Sequence, residues 1–542
     1  MEDGRGIGSE TLPSALRGLL RAEAYPHPVA GIELLETQLS WILVTGERTY
    51  KLKRPIQYPF VDQRQLADRQ RLCLEELRLN RRFTPQLYLD VQPVTVVNGA
   101  ACIGGSGVPI EYAVVMRSFD RREQLDQLVI NGRLRDGELA AFGGWLARLH
   151  RELIGSRGAQ PMVRPDQLAR AVARNAEEAI AAAGIFSTGP EIAELASGLA
   201  AEFALREPDV LRRADAGLLC ECHADLHLSN IVRLDGRLRA FDCLEFDPEL
   251  RWIDPAQDLA FLYADLLGFD APLLAHELLS AYLAESGDYH AATVLRLYTA
   301  DRALVRAKVM ALRAAHGSGT GADGDSLLRL RHERYLRVAR TALQPQAPLC
   351  VAMTGLPGSG KSWLAARLGA HLGAVVVRSD LERKRLAGLD ALVPSHSGIN
   401  AGLYDDQRTE AVYRQLMRHA ADVLSGQRGV IIDANFGKRS QRAMIASLCR
   451  LMATPLIFCQ CEAPAAVLRQ RIVARQATAQ DPSEADVSIL ELQRVEREPI
   501  LDDERLRVAS VDTTRDDALA VALGNVAGSI RGERRLENAL LP

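Results

Sequence analysis

Two stretches of the chain hold residue types at spacings suited to phosphate chemistry. The first is Gly355-Leu356-Pro357-Gly358-Ser359-Gly360-Lys361-Ser362, which fits G-x-x-x-x-G-K-[ST] without a mismatch. Glycines let backbone N–H groups turn inward around phosphate oxygens, and the helix that follows directs its N-terminal dipole at the same anion. Lys361 is placed to put a point charge on the transferring phosphates, and Ser362 to ligate Mg2+. The next apolar run, AVVVRSD, is read as a strand ending at Asp380. There Asp380 is expected to accept a proton from an attacking hydroxyl, and Arg383, one helical turn on, to hold a substrate phosphate. The competing reading makes Asp380 a helix cap and Arg383 a surface residue. A third strand, GVIIDANF, ends in Asp433, which is expected to reach the Mg2+ shell. Arg471 and Arg475 lie four apart on one helix face and suit a lid over a triphosphate, or else a solvated arginine face.

The second stretch is Cys222-His223-Ala224-Asp225-Leu226-His227-Leu228-Ser229-Asn230, followed by the apolar run LRAFD ending in Asp242. Phosphoryl transfer needs one carboxylate to orient the nucleophile, then an amide oxygen and another carboxylate for the metal. Asp225, Asn230 and Asp242 supply these in order. A zinc site made of Cys220, Cys222, His223 and His227 is the rival reading. Its spacing is crowded for a tetrahedron, and it leaves the three other residues unexplained. His223 is therefore read as a hydrogen-bonding residue that shapes the loop. Upstream, RTYKLK places Lys51 and Lys53 on one strand face. Lys51 is the expected nucleotide contact, and Glu76, or else Glu75, its partner on the helix LCLEELRLN.

The lysines themselves are informative. The chain of 542 residues has 66 Lys plus Arg, yet only six are lysines, so each is a candidate for work a guanidinium cannot do. The net charge of -3 provides no overall basic excess for a nucleic-acid backbone. A hydrophobic fraction of 47% with 25% charged residues excludes a mainly disordered chain or a rod. Nine cysteines without C-x-x-C spacing, no signal pattern and no apolar run of roughly 20 residues point to a cytoplasmic protein with reduced thiols.

The elements that must position these residues divide near 345. A helical pattern ends there, Pro345 and Pro348 break it, and a new apolar strand opens into the glycine-rich turn. The expected domains are 1–344 and 345–542. Strand-like segments (WILVTG, RTYKLK, VQPVTVV, EYAVVMRSF) surround one helix before residue 130. Residues 137–340 read as mainly helical apart from a strand–loop–strand patch at 217–247. Within this span the Gly-, Ser- and Asp-rich stretch 314–326 is expected to be a loop. Beyond 350, strands and helices alternate, as in a parallel sheet covered by helices.

GLPGSGKS, SDLERKRLAG, IIDANF and LRQRIVAR together resemble the P-loop kinase group that includes polynucleotide 5′-kinases and gluconate-kinase-like enzymes. That resemblance implies Asp380 as general base and Arg471 with Arg475 as lid. HADLHLSN, AFDCLEF and RWIDPAQDLAF resemble the aminoglycoside phosphotransferase branch of protein-kinase-like folds, over roughly 30–310. Asp254 and Asp258 fall on that branch's D-x-A-x-D-L-A segment, and Ala224 stands where it usually has glycine. No G-x-G-x-x-G is present; TQLSW at 37–41 takes its place over the phosphates. The whole chain resembles bacterial fusions of such a phosphotransferase with a P-loop ATP-binding domain. The resemblance implies an α+β bilobal kinase-like domain, then an α/β P-loop domain with a parallel sheet. It also implies ATP and Mg2+ at both sites, and phosphoryl transfer to a hydroxyl of a small-molecule acceptor. Two alternatives stand beside it: a nucleic-acid 5′-hydroxyl end-repair kinase using Arg383, Lys384, Arg385, Arg439 and Arg442 as one groove, and an ATP-sensing regulator.

Overall fold

The computed structural model describes residues 12–58, 61–155, 165–315, 322–391, 393, 405–478 and 482–528. The chain forms two compact units. One comprises Met1–Ala196, Val210–Asp270 and Asp301–Val338; the other comprises Ser197–Asp209, Ala271–Ala300 and Ala339–Pro542.

The first unit opens with an antiparallel six-stranded sheet. Its strands are β1 (Glu33–Glu36), β2 (Ser40–Val44), β3 (Arg48–Lys53), β4 (Tyr88–Val97), β5 (Ala100–Ile103) and β6 (Glu111–Arg117). The order is β1-β2-β3-β6-β4-β5. Helix α1 (Leu66–Phe83) packs on it through Leu72, Cys73, Glu76 and Leu79. In β3 the sequence Arg-Thr-Tyr-Lys-Leu-Lys alternates, so Tyr50 and Leu52 enter one core while Lys51 and Lys53 face the other way. The stretch TQLSW forms the β1–β2 turn, where the Thr37 N–H donates to Ser40 O at 2.9 Å.

Helices α2 (Glu138–Gly155), α3 (Pro165–Ala182) and α4 (Gly189–Asp215) follow. Next come β7 (Cys220–Glu221), a hairpin of β8 (Ile231–Leu234) and β9 (Arg237–Ala240), and β10 (Trp252–Ile253), which pairs with β7. Helix α5 (Pro255–Gly268) is capped by the Asp254 carboxylate, which accepts the Ala256 N–H at 2.9 Å, and has Pro255 at its first position. It is buried on nearly every side, as an all-round apolar helix must be. Helices α6 (Pro272–Ser286), α7 (Ala291–Ala315) and α8 (Ala322–Leu343) complete this region. The expected loop at 314–326 lies partly at 316–321, outside the described residues; from Ala322 on, the chain is helical.

The second sheet has five parallel strands: β11 (Cys350–Thr354), β12 (Val375–Arg378), β13 (Val430–Asp433), β14 (Leu456–Glu462) and β15 (Val508–Asp512). Their order is β12-β13-β11-β14-β15. Between them lie α9 (Lys361–Leu372), α10 (Ser379–Leu386), α11 (Asp406–Ser425), α12 (Arg439–Leu451), α13 (Ala465–Thr478) and α14 (Val487–Glu496). All five residues of β11 are buried, the mark of a central strand covered on both faces. β12 ends at Arg378 rather than at Asp380, and Asp380 sits in the first turn of α10.

Residues outside 345–542 also belong to this second unit. The Arg206 guanidinium donates to Ser425 O at 2.9 Å. Arg296 donates to the carbonyls of Ala342, Leu343 and Gln344 at 2.8–3.2 Å. Tyr289 lies against His419 with ring centroids 4.4 Å apart. Among the described residues no helix is long and apolar enough to cross a membrane.

Candidate functional site

In the first unit, alternation along β3 brings Lys51 and Lys53 to the same carboxylate. Lys51 Nζ lies 2.9 Å from Glu76 Oε1 and 2.5 Å from Asp242 Oδ1. Lys53 Nζ lies 2.5 Å from Glu76 Oε2 and also pairs with Glu245. Burial opposes charge on both ammonium groups, but the carboxylates outweigh it and push both pKa values up. Glu76 thus serves both lysines. Glu75, about 100° away around the helix, pairs instead with Arg78 and Arg251, each at 2.7 Å.

The β8–β9 hairpin closes the gap between Asn230 and Asp242. Ile231 pairs with Ala240, so the residues just outside the hairpin meet at its end, and the Phe241 N–H donates to Asn230 O at 2.9 Å. Asn230 Nδ2 donates to Asp225 Oδ2 and to the Asp225 carbonyl, both at 3.0 Å. The bonded pair Asp225–Asn230 and the bonded pair Asp242–Lys51 are thereby held next to each other by the Phe241–Asn230 backbone bond. Burial raises the Asp225 pKa, but the His227 imidazole 3.6 Å away and His223 bring it down to about 2. Asp242 is also held well below the ordinary range, because Lys51 outweighs its burial.

The loop carrying Asp225 is held from behind. Asp258 on α5 accepts the His223 N–H at 2.7 Å and the Ala224 N–H at 2.8 Å. Asp265, two turns further along the same face of α5, accepts the Leu228 N–H at 2.8 Å. His223 is buried, its pKa is lowered by burial, and its Nε2 lies 2.9 Å from Phe241 O. These contacts fit the shaping role read for it. Ala224 takes a φ of 68°, a left-handed conformation that costs an L-residue roughly 1–2 kcal/mol.

Three of the four residues of the rival zinc reading have other partners: His223 on Phe241 O, His227 beside Asp225, Cys222 on Ile253 O at 3.5 Å; Cys220 Sγ lies 3.6 Å from Cys222 Sγ. His150, Cys222 and Asp258 do cluster among the described residues. Both Asp258 oxygens there are already bonded to backbone N–H groups.

In the second unit, Gly355, Gly358 and Gly360 take φ values of 143°, 78° and 84°. A Cβ at Gly358 would come within 2.5 Å of Leu468 O, so the turn and its packing both require glycine there. Lys361 Nζ donates to Gly355 O at 2.7 Å and Leu356 O at 2.9 Å. Burial lowers its pKa. Ser362 donates to the buried carboxylate of Asp433, whose pKa burial raises. Asp380 is close enough to exert its charge on Lys361, Asp433 and Tyr413. Arg383 donates to Thr409 Oγ1 at 3.1 Å and lines a cavity of about 170 Å³ with Tyr413, Asn435, Lys438 and Gln493.

Of the two expected lid arginines, Arg471 reaches the phosphate loop. It donates to Gly358 O at 3.3 Å and to Thr513 Oγ1 at 2.9 Å. Arg475 donates to Ala485 O at 2.6 Å. Thr513 in turn donates to Ser359 O at 2.7 Å. The basic residues named for a nucleic-acid groove are spread among separate partners. Lys384 bonds Val393 O and Glu484, both at 3.0 Å. Arg385 bonds Glu382 and Ala284 O. Arg439 bonds Asp503 at 2.6 Å and the buried Arg442 bonds Glu504 at 2.8 Å.

Sequence reasoning did not single out Glu245, Asp265 or Thr513. Glu245 stands three residues after Asp242, and that short spacing was the one signal available. Asp265 and Thr513 act through packing across long sequence separations, which spacing does not record.

Comparison with known proteins also divides the chain in two. Residues 34–295 match the phosphotransferase enzyme family, and residues 350–500 match an AAA domain. Uncharacterized proteins of Mycobacterium tuberculosis and Mycobacterium bovis are each 31% identical over 452 residues, covering 83% of this chain and 88% of theirs. A choline kinase of Cryptosporidium parvum Iowa II is 12% identical, with 61% of this chain and 93% of that one covered at a TM-score of 0.35. A gluconokinase of Sinorhizobium meliloti 1021 is 18% identical, with 36% and 99% covered at a TM-score of 0.26.

Proposed function

The chain belongs to the family of those mycobacterial proteins and itself joins a phosphotransferase domain to a P-loop kinase domain, and on that premise we propose that each domain transfers the γ-phosphoryl group of ATP to a hydroxyl of a small-molecule acceptor. The observation that carries this reading is repeated in both units: a lysine, a carboxylate for a metal and a second carboxylate for the acceptor stand together.

Hard oxygen donors fit Mg2+ in both places: Ser362 with Asp433, and Asn230 with Asp242. Mg2+ held by these groups would supply charge neutralisation to the phosphates. Lys361 and Lys51 place point charges on the phosphates, and Glu76 fixes the direction of Lys51. The glycine-rich backbone from Gly355 to Gly360 wraps the β-phosphate. Arg471 and Arg475 close over the transferring group, with Arg383 on the acceptor side.

Asp380 accepts the acceptor's hydroxyl proton while the acceptor oxygen bonds to the γ-phosphorus. The bond from that phosphorus to the bridging oxygen breaks, and ADP leaves. Asp225 plays the corresponding part in the first domain. With a pKa near 2 it is a weak base, so its main work is to orient the hydroxyl. A loose phosphoryl-transfer transition state asks for little more.

The test is transfer of label from γ-labelled ATP into a bacterial metabolite extract and into a 5′-hydroxyl oligonucleotide. Lys361→Met is expected to remove one labelled metabolite and Asp225→Asn another, each by at least about 100-fold. Label on the oligonucleotide that depends on Lys361 would replace this reading with end repair. ATP binding with no label in any pool would replace it with ATP sensing. The scattered partners of Lys384, Arg385, Arg439 and Arg442 weigh against a continuous nucleic-acid groove.

A further inference from the structure

A second cavity, of about 780 Å³, opens beside the phosphate loop and is lined by Leu356, Gln460, Arg494, Arg497, Leu501 and Val508. Arg497 stands in the wall of this cavity and of the 170 Å³ cavity that holds Arg383. It follows the end of α14 at Glu496. Its guanidinium donates to Gln460 Oε1 at 3.2 Å, and no carboxylate pairs with it among the described residues. Other arginines of this unit do pair with carboxylates. Arg439, Arg442, Arg469 and Arg515 each sit within 2.6–2.8 Å of a carboxylate oxygen. Burial lowers the Arg497 pKa, and Glu462 only partly offsets that. Asp502 also lines the larger cavity, and Asp406 and Glu496 the smaller, but none of them is within ion-pair distance of this half-buried cation, so an anion that joins it in use would offset the cost of its burial.

The smaller cavity offers a complementary group. Asn435 Nδ2 donates to Gln493 Oε1 at 2.9 Å, while Asn435 Oδ1 is buried and accepts no hydrogen bond among the described residues. A buried acceptor of this kind suits a hydroxyl donor. Asn435 stands two residues beyond Asp433, on the strand end that faces the phosphate loop.

We propose that the acceptor of the P-loop domain is a hydroxylated anion, a hydroxy acid or a phosphorylated polyol, with its anionic group held by Arg497 and a hydroxyl held by Asn435 Oδ1. This rests on the small-molecule kinase reading above, and it names the chemical class that reading leaves open. The larger cavity on the far side of Arg497 takes the remainder of a longer acceptor.

The experiment measures arginine modification by phenylglyoxal on the full chain, with ADP and Mg2+ present to fill the phosphate loop. Peptide mass spectrometry follows Arg497, with exposed Arg515 as reference. The probes are inorganic phosphate and an equal-length pair, D-gluconate and D-glucitol. Arg497 is expected to react, and phosphate and gluconate are expected to slow it at least threefold while leaving Arg515 unchanged. Glucitol is expected to leave both rates unchanged. Equal protection by glucitol, no protection by either anion, or no reaction at Arg497 overturns the proposal. The readout needs no turnover. Protection at Arg497 with no labelled metabolite would therefore reject the kinase reading and keep the anion site. Labelled metabolite without protection would do the reverse.

Discussion

At the scale of single residues, the two carboxylates assigned to the acceptor hydroxyl sit in different electrostatic settings. The Asp225 side chain is 40% exposed, yet His227 and His223 hold its pKa near 2, against about 3.9 for a free aspartate. A lowered folded-state pKa means that the ionised form stabilises the fold above pH 4, and that this contribution disappears as pH falls through 2. The gap in urea midpoint between wild type and Asp225→Asn is therefore expected to be full at pH 5 and to narrow between pH 4 and 2.5. A gap that stays constant over that range would remove His227 as the cause. Asp225, Asn230, Asp242, Lys51 and the phosphate loop were legible because their chemistry lies in short spacings. The choice between Glu75 and Glu76 was not, because neighbours on a helix differ only in direction. Packing of α1 against the sheet turns Glu76 inward to two lysines and leaves Glu75 to Arg78 and Arg251.

At the scale of elements, turns and caps decide where the reactive groups point. The β8–β9 hairpin turns a twelve-residue separation into adjacency, and α5 holds the Asp225 loop by Asp258 and Asp265. In the second unit Thr513, just past β15, ties Ser359 of the phosphate loop to Arg471 of α13. Thr513→Val keeps the shape and removes both bonds, about 1–2 kcal/mol in all. The KM for ATP at the P-loop site is expected to rise roughly 5- to 30-fold, with the first site unchanged. An unaltered KM would make Thr513 a packing residue only. Strand and helix types followed from hydrophobic pattern, and β3, α1, β11 and β13 fall where the sequence puts them. The end of β12 did not. Val375–Val377 are buried and apolar and Arg378 still pairs in the sheet opposite Asp433, but the chain turns helical at Ser379, one residue before Asp380. A polar Arg-Ser-Asp run is compatible with either outcome, so periodicity could not choose.

At the scale of the whole molecule, the two family matches and the two compact units do not share all their borders. Residues 271–295 lie within the phosphotransferase match, yet they are part of the unit that carries the phosphate loop. Arg385 on α10 bonds Ala284 O, Gly426 packs against Ala292 O, and Tyr289 stacks near His419, which is 3.0 Å from Glu382. These contacts brace the helix that carries Asp380 and Arg383. A fragment of residues 345–542 lacks them, along with the Arg206 and Arg296 bonds. It is expected to melt roughly 10 °C below the corresponding transition of the full chain, at about 2–4 °C per kcal/mol for a domain of this size. Equal melting by calorimetry would show that residues 271–300 are dispensable to it. The proline-marked linker was readable because prolines act locally. Membership of 271–300 in the second unit was not, since it depends on contacts across more than 100 residues.

The scarcity and burial of lysine also reach beyond catalysis, to how the protein can be handled. Side-chain exposure is 10% for Lys51, 1% for Lys53, 5% for Lys384 and 14% for Lys308, against 45% for Lys438. An amine-directed reagent, whether a fluorophore ester or a coupling surface, therefore meets chiefly Lys438 among these five, and the sixth, Lys361 in the phosphate loop, is of intermediate exposure. Lys438 lies on the wall of the smaller cavity. A sensor chip loaded through amines would tether the molecule at the rim of its own candidate acceptor site, so immobilisation through an engineered exposed thiol is the sounder route.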